Sequence, residues 1–303
     1  MMNYQANDFL LGIDLGGTHI KAVLMDKDFH ILDSHLTQTD DQDQTDVSKR
    51  WKNSIRNLVD SFQQKTNHQI RKIGFSAPGL ANEHNTAIAS LPNRLAGLEH
   101  FLWSEWLGTP TYVLNDAHAA LIAESKLGAG KGYQHIILLT LGTGVGGGMM
   151  INGKLIQNQY NRAGHFGHLS ISDDPRQSIV GAPGSLEYAI GDYSVGTRSY
   201  GRYDSTHSLV NDYQAGNPFA SWVWLNSVEK LARGINSLIN AFSPEIVILG
   251  GGISKAGEAL LGPLKDFLGI YEWETGGFRT HIVLAESGSD AGAVGAGIFA
   301  SYM

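Results

Sequence analysis

The chain has 303 residues, with 22 Lys or Arg against 29 Asp or Glu and a formal charge of −7. That mildly acidic balance gives no broad attraction to phosphate backbones or anionic lipid, so neither nucleic acid nor a membrane is an expected partner. Cysteine is absent, which excludes disulfides, thiolate metal sites, iron–sulfur clusters and cysteine nucleophiles.

No apolar run approaches the ~18–20 residues of a membrane helix, and residues 1–9 lack a signal-peptide pattern. A cytoplasmic globular protein is therefore expected, and the length suits two domains or two lobes of one fold. Glycine is high, 37 residues of 303, or about 12% against a usual ~7%. It is clustered at Gly16-Gly17, at residues 142–148, at Gly250-Gly251-Gly252 and at residues 288–297. Because glycine lets backbone approach a ligand closely, four clusters suggest turns converging on something.

In chain order, residues 9–14 predict a buried strand, Gly16-Gly17 a tight turn, and residues 20–25 and 31–37 two further strands of a meander. Trp51, Ile55, Leu58, Val59 and Phe62 recur at helical spacing. Residues 71–75 and 111–114 read as buried strands. The second half repeats the plan: a strand at 136–141, a glycine turn, a strand at 148–151, a hairpin signal at Asn152-Gly153 and a return strand. A long amphipathic helix at 222–242, strands at 245–249 and 281–284, and a small-residue helix at 290–302 complete it. A duplicated lobe is the economical reading.

Gly142-Thr143-Gly144-Val145-Gly146-Gly147 satisfies G-x-G-x-x-G, but a hairpin follows where a dinucleotide site needs a helix. What remains is two glycine–threonine turns, either plain hairpins or cradles whose backbone N–H groups hold phosphate oxygens. Asp14 ends an apolar strand, where it caps the turn or orients a Mg²⁺ on a polyphosphate through water. Gly250-Gly251-Gly252 either leads a helix or lets a nucleobase or ribose lie on bare backbone. Asn115-Asp116 stand where a strand enters an alanine-rich helix, as caps or as a hydroxyl ligand and a general base. His165, His168 and Glu187 suit hydrogen bonding to a polyol better than a metal, and His118 reads as structural.

In this order the segments resemble the ROK family of sugar kinases and sugar-responsive repressors. The resemblance implies an α/β, actin-like ATPase (ribonuclease H-like) fold of two similar lobes with a central cleft. The N-terminal lobe is expected at 1–117, completed by the helix at 290–303, and the C-terminal lobe at 118–289. Asp14, Gly16, Gly17, Thr18 and Lys21 match the first phosphate motif, Gly142, Thr143 and Gly144 the second, and Gly250, Gly251 and Gly252 the adenosine motif. Asp116 matches the catalytic base, and Gly79, Asn93 and Asn115 match sugar-site positions.

Two departures stand out. The family pattern Gly-Glu-x-Gly-His is here Gly164-His165-Phe166-Gly167-His168, so a group that donates as well as accepts replaces an acceptor-only carboxylate. In the family's zinc loop, Ser178, Val180 and Ser185 stand at the cysteine positions, while Gly181, Gly184 and Glu187 remain, so no zinc is expected. The implied activity is ATP- and Mg²⁺-dependent phosphorylation of a hexose, with glucose O6 first. N-acetylmannosamine, N-acetylglucosamine, fructose and allose are alternative acceptors and polyphosphate an alternative donor. The family habit implies a homodimer or larger homo-oligomer. A DNA-binding repressor is the rival of another class, disfavoured by the short stretch before the first strand and the negative charge.

Overall fold

The computed structural model describes residues 9–39, 47–91 and 95–303. The chain forms two compact units, one of Met1–Gly128, Gln157–Ala163 and Ser287–Met303, the other of Ala129–Ile156 and Gly164–Glu286. The first unit therefore holds residues 118–128 and 157–163, which the 1–117/118–289 division assigns elsewhere.

In the first unit, β1 (Phe9–Leu15), β2 (His19–Met25), β3 (Ile31–Gln38), α1 (Val47–Lys65), β4 (Ile70–Ala77), β5 (Leu80–Ala81), β6 (Ile88–Ser90), α2 (Trp103–Leu107), β7 (Thr111–Asn115) and α3 (Asp116–Leu127) follow in order. The main sheet runs β3-β2-β1-β4-β7, with β2 antiparallel to both its neighbours and β1, β4 and β7 parallel. Alternate residues of a strand face opposite sides. Leu11, Ile13 and Leu15 of β1 and Ile73, Phe75 and Ala77 of β4 join Trp51, Ile55, Val59 and Phe62 of α1 in one apolar core. Phe75 stacks on Trp103 with ring centroids 4.2 Å apart.

The opposite face is built for close approach. Gly12 and Gly74 pair across β1 and β4, and the C-terminal helix (Ala291–Tyr302) crosses them. A Cβ on Gly12 would overlap the Ala293 carbonyl oxygen, one on Gly74 that of Ala296, and one on Gly295 that of Ala119 in α3. The small-residue helix is thus gripped between sheet and α3 at backbone contact. Two residues along the same face, Asp14 and Ser76 pair across the same strands.

The second unit repeats the arrangement with β8 (Ile136–Leu141), β9 (Val145–Ile151), β10 (Lys154–Leu155), α4 (Leu186–Ile190), α5 (Val195–Arg198), α6 (Thr206–Gln214), α7 (Pro218–Phe242), β11 (Ile246–Gly250), α8 (Glu258–Tyr271) and β12 (His281–Leu284). Its sheet order, β10-β9-β8-β11-β12, matches the first strand for strand, including the parallel and antiparallel pairings. Two such sheets are the duplicated halves of the actin-like ATPase fold. The hairpin at Asn152-Gly153 has both residues at positive φ, 53° and 68°, as a two-residue turn demands.

Gly146, Gly147 and Gly148 lie inside β9 rather than in the preceding turn, paired with Thr140, Leu139 and Leu138. A Cβ on Gly147 would sit 2.7 Å from the Gly164 carbonyl oxygen, so a strand glycine makes room for a crossing loop. Asn217 caps α7 by accepting from Phe219 N and Ala220 N, and Pro218 follows in the first turn, which starts the helix before residue 222. No helix among the described residues is long and apolar enough to cross a membrane.

Gly295→Ala is expected to destabilise the protein by about 1–3 kcal/mol or more, the scale of core overpacking. Gly269→Ala in α8, where a Cβ meets nothing within 4 Å, is expected to be neutral or stabilising by up to about 1 kcal/mol through helix propensity. Urea unfolding of the two variants measures the contrast.

Candidate active site

The parallel strands β1, β4 and β7 bring their C-terminal ends to one edge of the first unit, and the candidate groups collect there. Asn115 ends β7 and caps α3, its Oδ1 accepting from Ala117 N at 2.9 Å while its Nδ2 donates to the Gly79 carbonyl at 2.9 Å. Both ends of the amide are engaged, so Asn115 and Gly79 are held as one piece. Gly79 sits at φ 96°, where a Cβ would lie 2.5 Å from the Ser90 carbonyl oxygen. Asp116, the first residue of α3, is exposed, with Oδ1 accepting from Ala117 N at 2.8 Å.

Asp14 is the electrostatic centre of this edge. The residue is half-buried, its carboxyl enclosed by neighbouring protein, and Ser76 Oγ donates to Oδ1 at 2.6 Å. Burial pushes its pKa up to about 6. The Ser76 bond and Lys21 pull it down, and the negative charge of Asp116 adds to the rise. The Coulombic coupling brings the two acids into one field. The Asp14 carboxylate, an oxygen donor whose charge is opposed by burial, fits Mg²⁺ held directly or through water. Lys21 is otherwise engaged: its Nζ donates to the Ser289 carbonyl and pairs with Asp290, both at 2.9 Å. Asn93 lies outside the described residues.

The two glycine turns share one design. In the first, Thr39 Oγ1 donates to the Gly16 carbonyl at 2.6 Å and Thr39 N to the Thr18 carbonyl at 2.9 Å. In the second, Asp192 N donates to the Gly142 carbonyl at 2.9 Å and Tyr193 N to the Thr143 carbonyl at 3.1 Å. Carbonyl oxygens, which repel phosphate, are tied back. The N–H groups of Gly17, Thr18, Thr143 and Gly144 have no backbone acceptor among the described residues. That is the polarity an anion cradle needs.

Beside the second turn lies a cavity of about 540 Å³, lined by Gly142, Thr143, Val210, Asn211, Gly252 and Ile253 among others. A Cβ on Gly142 or Gly252 would meet nothing within 4 Å, so bare backbone faces open space. Gly251, at φ 87°, packs against Leu141 backbone, and a Cβ on Gly250 would lie 3.4 Å from Ala285. The stretch 191–215, without evident role in the sequence, forms much of the cavity wall. Its base is pinned by Arg198, whose Nε donates to Ser194 Oγ at 2.9 Å and whose Nη2 donates to the Gly191 carbonyl at 3.1 Å. Burial lowers the Arg198 pKa to about 10, which leaves it charged at neutral pH. Cavity and turn fit a nucleotide.

In the segment packed against the start of β9, His165 and His168 stand parallel, ring centroids 6.4 Å apart with 5° between planes. Glu187 is buried, Oε1 accepting from Val145 N at 3.3 Å and Oε2 from Ile179 N at 3.2 Å. A Cβ on Gly144 would fall on Glu187 Oε1, so this glycine makes room for a carboxylate as well as shaping the turn. His118 is fully buried with Nε2 3.0 Å from the Ala163 carbonyl oxygen, a packing role.

The loop before Glu187 does not fit zinc. Ser178 Oγ accepts from Val180 N at 3.3 Å and Ala182 N at 3.1 Å, Ser185 Oγ accepts from Tyr188 N at 3.1 Å, and the Val180 side chain has no donor atom. Hydroxyls thus close by hydrogen bonds a loop in which no thiolate is available.

Comparison with known proteins agrees with this architecture. Residues 10–302 match the ROK family. A glucokinase of Thermotoga maritima is 29% identical, with 95% of each chain covered. The crystal structure of the ROK hexokinase of Thermus thermophilus superposes with a TM-score of 0.82 at 27% identity, covering 97% of this chain and 98% of that one. The structure of a ROK glucokinase of Streptomyces griseus in complex with glucose and AMPPNP does so with a TM-score of 0.75 at 25% identity, covering 97% and 100%. The fold is that of the actin-like ATPase class. The chain belongs to the ROK family.

Two outcomes follow from the site. Asp14 has a folded-state value of about 6, above an unfolded value near 3.9. Its contribution to stability is therefore fully present below pH ~4 and is lost as pH rises through about 6, a difference of about 3 kcal/mol. Without added divalent cation, Asp14→Asn should raise the thermal midpoint at pH 8 and leave it little changed at pH 4; equal midpoints at pH 8 would contradict the assignment. Elemental analysis of the purified protein should find no stoichiometric zinc, where one per chain would contradict the hydroxyl-closed loop.

Proposed function

We propose that this chain, a sugar kinase, transfers the γ-phosphoryl group of ATP to a hexose hydroxyl, with glucose O6 the first choice, using Asp116 as general base. The observation that carries the reading is an exposed carboxylate at the start of α3, in the field of the enclosed Asp14 and beside the Asn115–Gly79 pair. Asp116 accepts the proton as the hydroxyl oxygen bonds to the γ-phosphorus and the bond to the β–γ bridging oxygen breaks. In the second unit the turn amides at Thr143 and Gly144 hold phosphate oxygens and the nucleoside occupies the cavity at Gly142 and Gly252; in the first unit the amides at Gly17 and Thr18 form a phosphate-binding turn of their own. Asp14 would hold Mg²⁺ directly or through water, and the chemistry the ion would supply there is neutralisation of charge on the transferring phosphate. Lys21 acts from its pair with Asp290, orienting that end of the C-terminal helix.

In the first unit, sugar-hydroxyl ligands are Asn115 and the Gly79 backbone, with Asn93 in the same role; in the second unit they are His165, His168 and Glu187. At His165 an imidazole replaces a family carboxylate, and it can both accept from and donate to a sugar hydroxyl. This keeps N-acetylmannosamine, N-acetylglucosamine, fructose and allose as alternative acceptors.

The test is ADP release across a panel of hexoses and N-acetylhexosamines with wild type and Asp116→Asn. The variant should lose about 10²–10⁴ in kcat while retaining AMPPNP binding. Turnover close to wild type would reduce Asp116 to a helix-capping residue.

A further inference from the structure

We infer that Glu187 is a positioning residue for the nucleotide, setting the second glycine turn through Val145 and tying that turn to the loop at 178–185. The inference rests on the nucleotide reading of that turn given above. Glu187 reaches in two directions from α4: one carboxylate oxygen accepts from Val145 N, directly after the turn, and the other from Ile179 N, inside the loop. The contact is enforced sterically, because the space a side chain at Gly144 would fill is filled by Oε1. Gly144 is not among the residues at positive φ, so space and not backbone conformation demands glycine there.

The main chain after α4 completes the clamp. Gly191 N donates to the Glu187 carbonyl at 2.8 Å, and the next two amides hold the Gly142 and Thr143 carbonyls. One buried carboxylate and the six residues after it thus set turn and loop together. Ser178 closes the same loop from within, so any displacement of Glu187 is passed to the turn. A glutamine cannot replace it, since an amide offers one acceptor and one donor where two N–H groups need two acceptors.

The test is calorimetric titration of the full-length protein with Mg²⁺–AMPPNP in the absence of sugar, beside the thermal midpoint. Glu187→Gln should raise the Kd roughly five- to fiftyfold, the scale of one buried N–H left without an acceptor. A residue serving only the sugar would leave that Kd unchanged, and one serving only stability would lower the midpoint without changing the Kd of the folded protein. Gly144→Ala, which displaces the same carboxylate from the opposite side, should weaken AMPPNP comparably. The double variant Gly144→Ala/Glu187→Ala should bind no more weakly than Glu187→Ala alone, because the methyl enters vacated space. Wild-type affinity in Glu187→Gln, or multiplicative losses in the double variant, would overturn the inference. Failure of the wild type to bind AMPPNP would overturn the nucleotide reading itself, and this inference with it.

Discussion

The first unit is organised around a carboxylate that its own fold disfavours. Asp14 ends a strand whose other face is packed into the core, and its charge is opposed by desolvation and by Asp116. One neutral hydroxyl, that of Ser76, answers it at close range, while Lys21 is drawn toward Asp290. Groups so perturbed cluster at functional sites. The glycines of β1 and β4 matter for the same reason. They let a helix settle on the sheet so closely that a Cβ on Gly292 would lie 2.7 Å from the Asp14 carboxyl carbon.

The two units solve one problem with different residues. Each leaves amide hydrogens at a tight turn without a backbone acceptor among the described residues while its carbonyl oxygens are tied back. In the first, a single buried threonine does both jobs, through its hydroxyl and its backbone N–H. In the second, two successive backbone amides after α4 do so, and a carboxylate settles the next residue. The duplicated sheets carry the common plan, and the residues answering the carbonyls come from segments with no mutual resemblance.

This division explains what could be read from sequence. The strand meanders, the helix carrying Trp51 and Phe62, and the duplicated order were legible because period-2 and period-3.6 patterns of apolar residues report directly on burial. Asn115 was legible as a cap, and its second bond to Gly79 was not, because it joins residues 36 positions apart. Ser76, Thr39, Asp192 and Tyr193 carry no local signature: each matters only for what the fold lays beside it. The glycines were legible as a group but not individually. Gly142 and Gly252 face open space, whereas Gly144, Gly147 and Gly251 yield their volume to other parts of the protein. The stretch 191–215 offered little periodicity, and its role as a cavity wall depends on the buried Arg198.

The seating of the C-terminal helix has a consequence for biosynthesis. The sheet of the first unit is complete in sequence by residue 115, yet the helix that covers Gly12 and Gly74 follows the entire second unit. During translation the early sheet therefore emerges with an uncapped glycine-lined groove and must wait through some 170 residues, at roughly 5–20 residues per second. Within that interval the second unit has all its own strands and can consolidate first. Nascent-chain folding should thus run opposite to the order of the genetic message, with the earlier half maturing last.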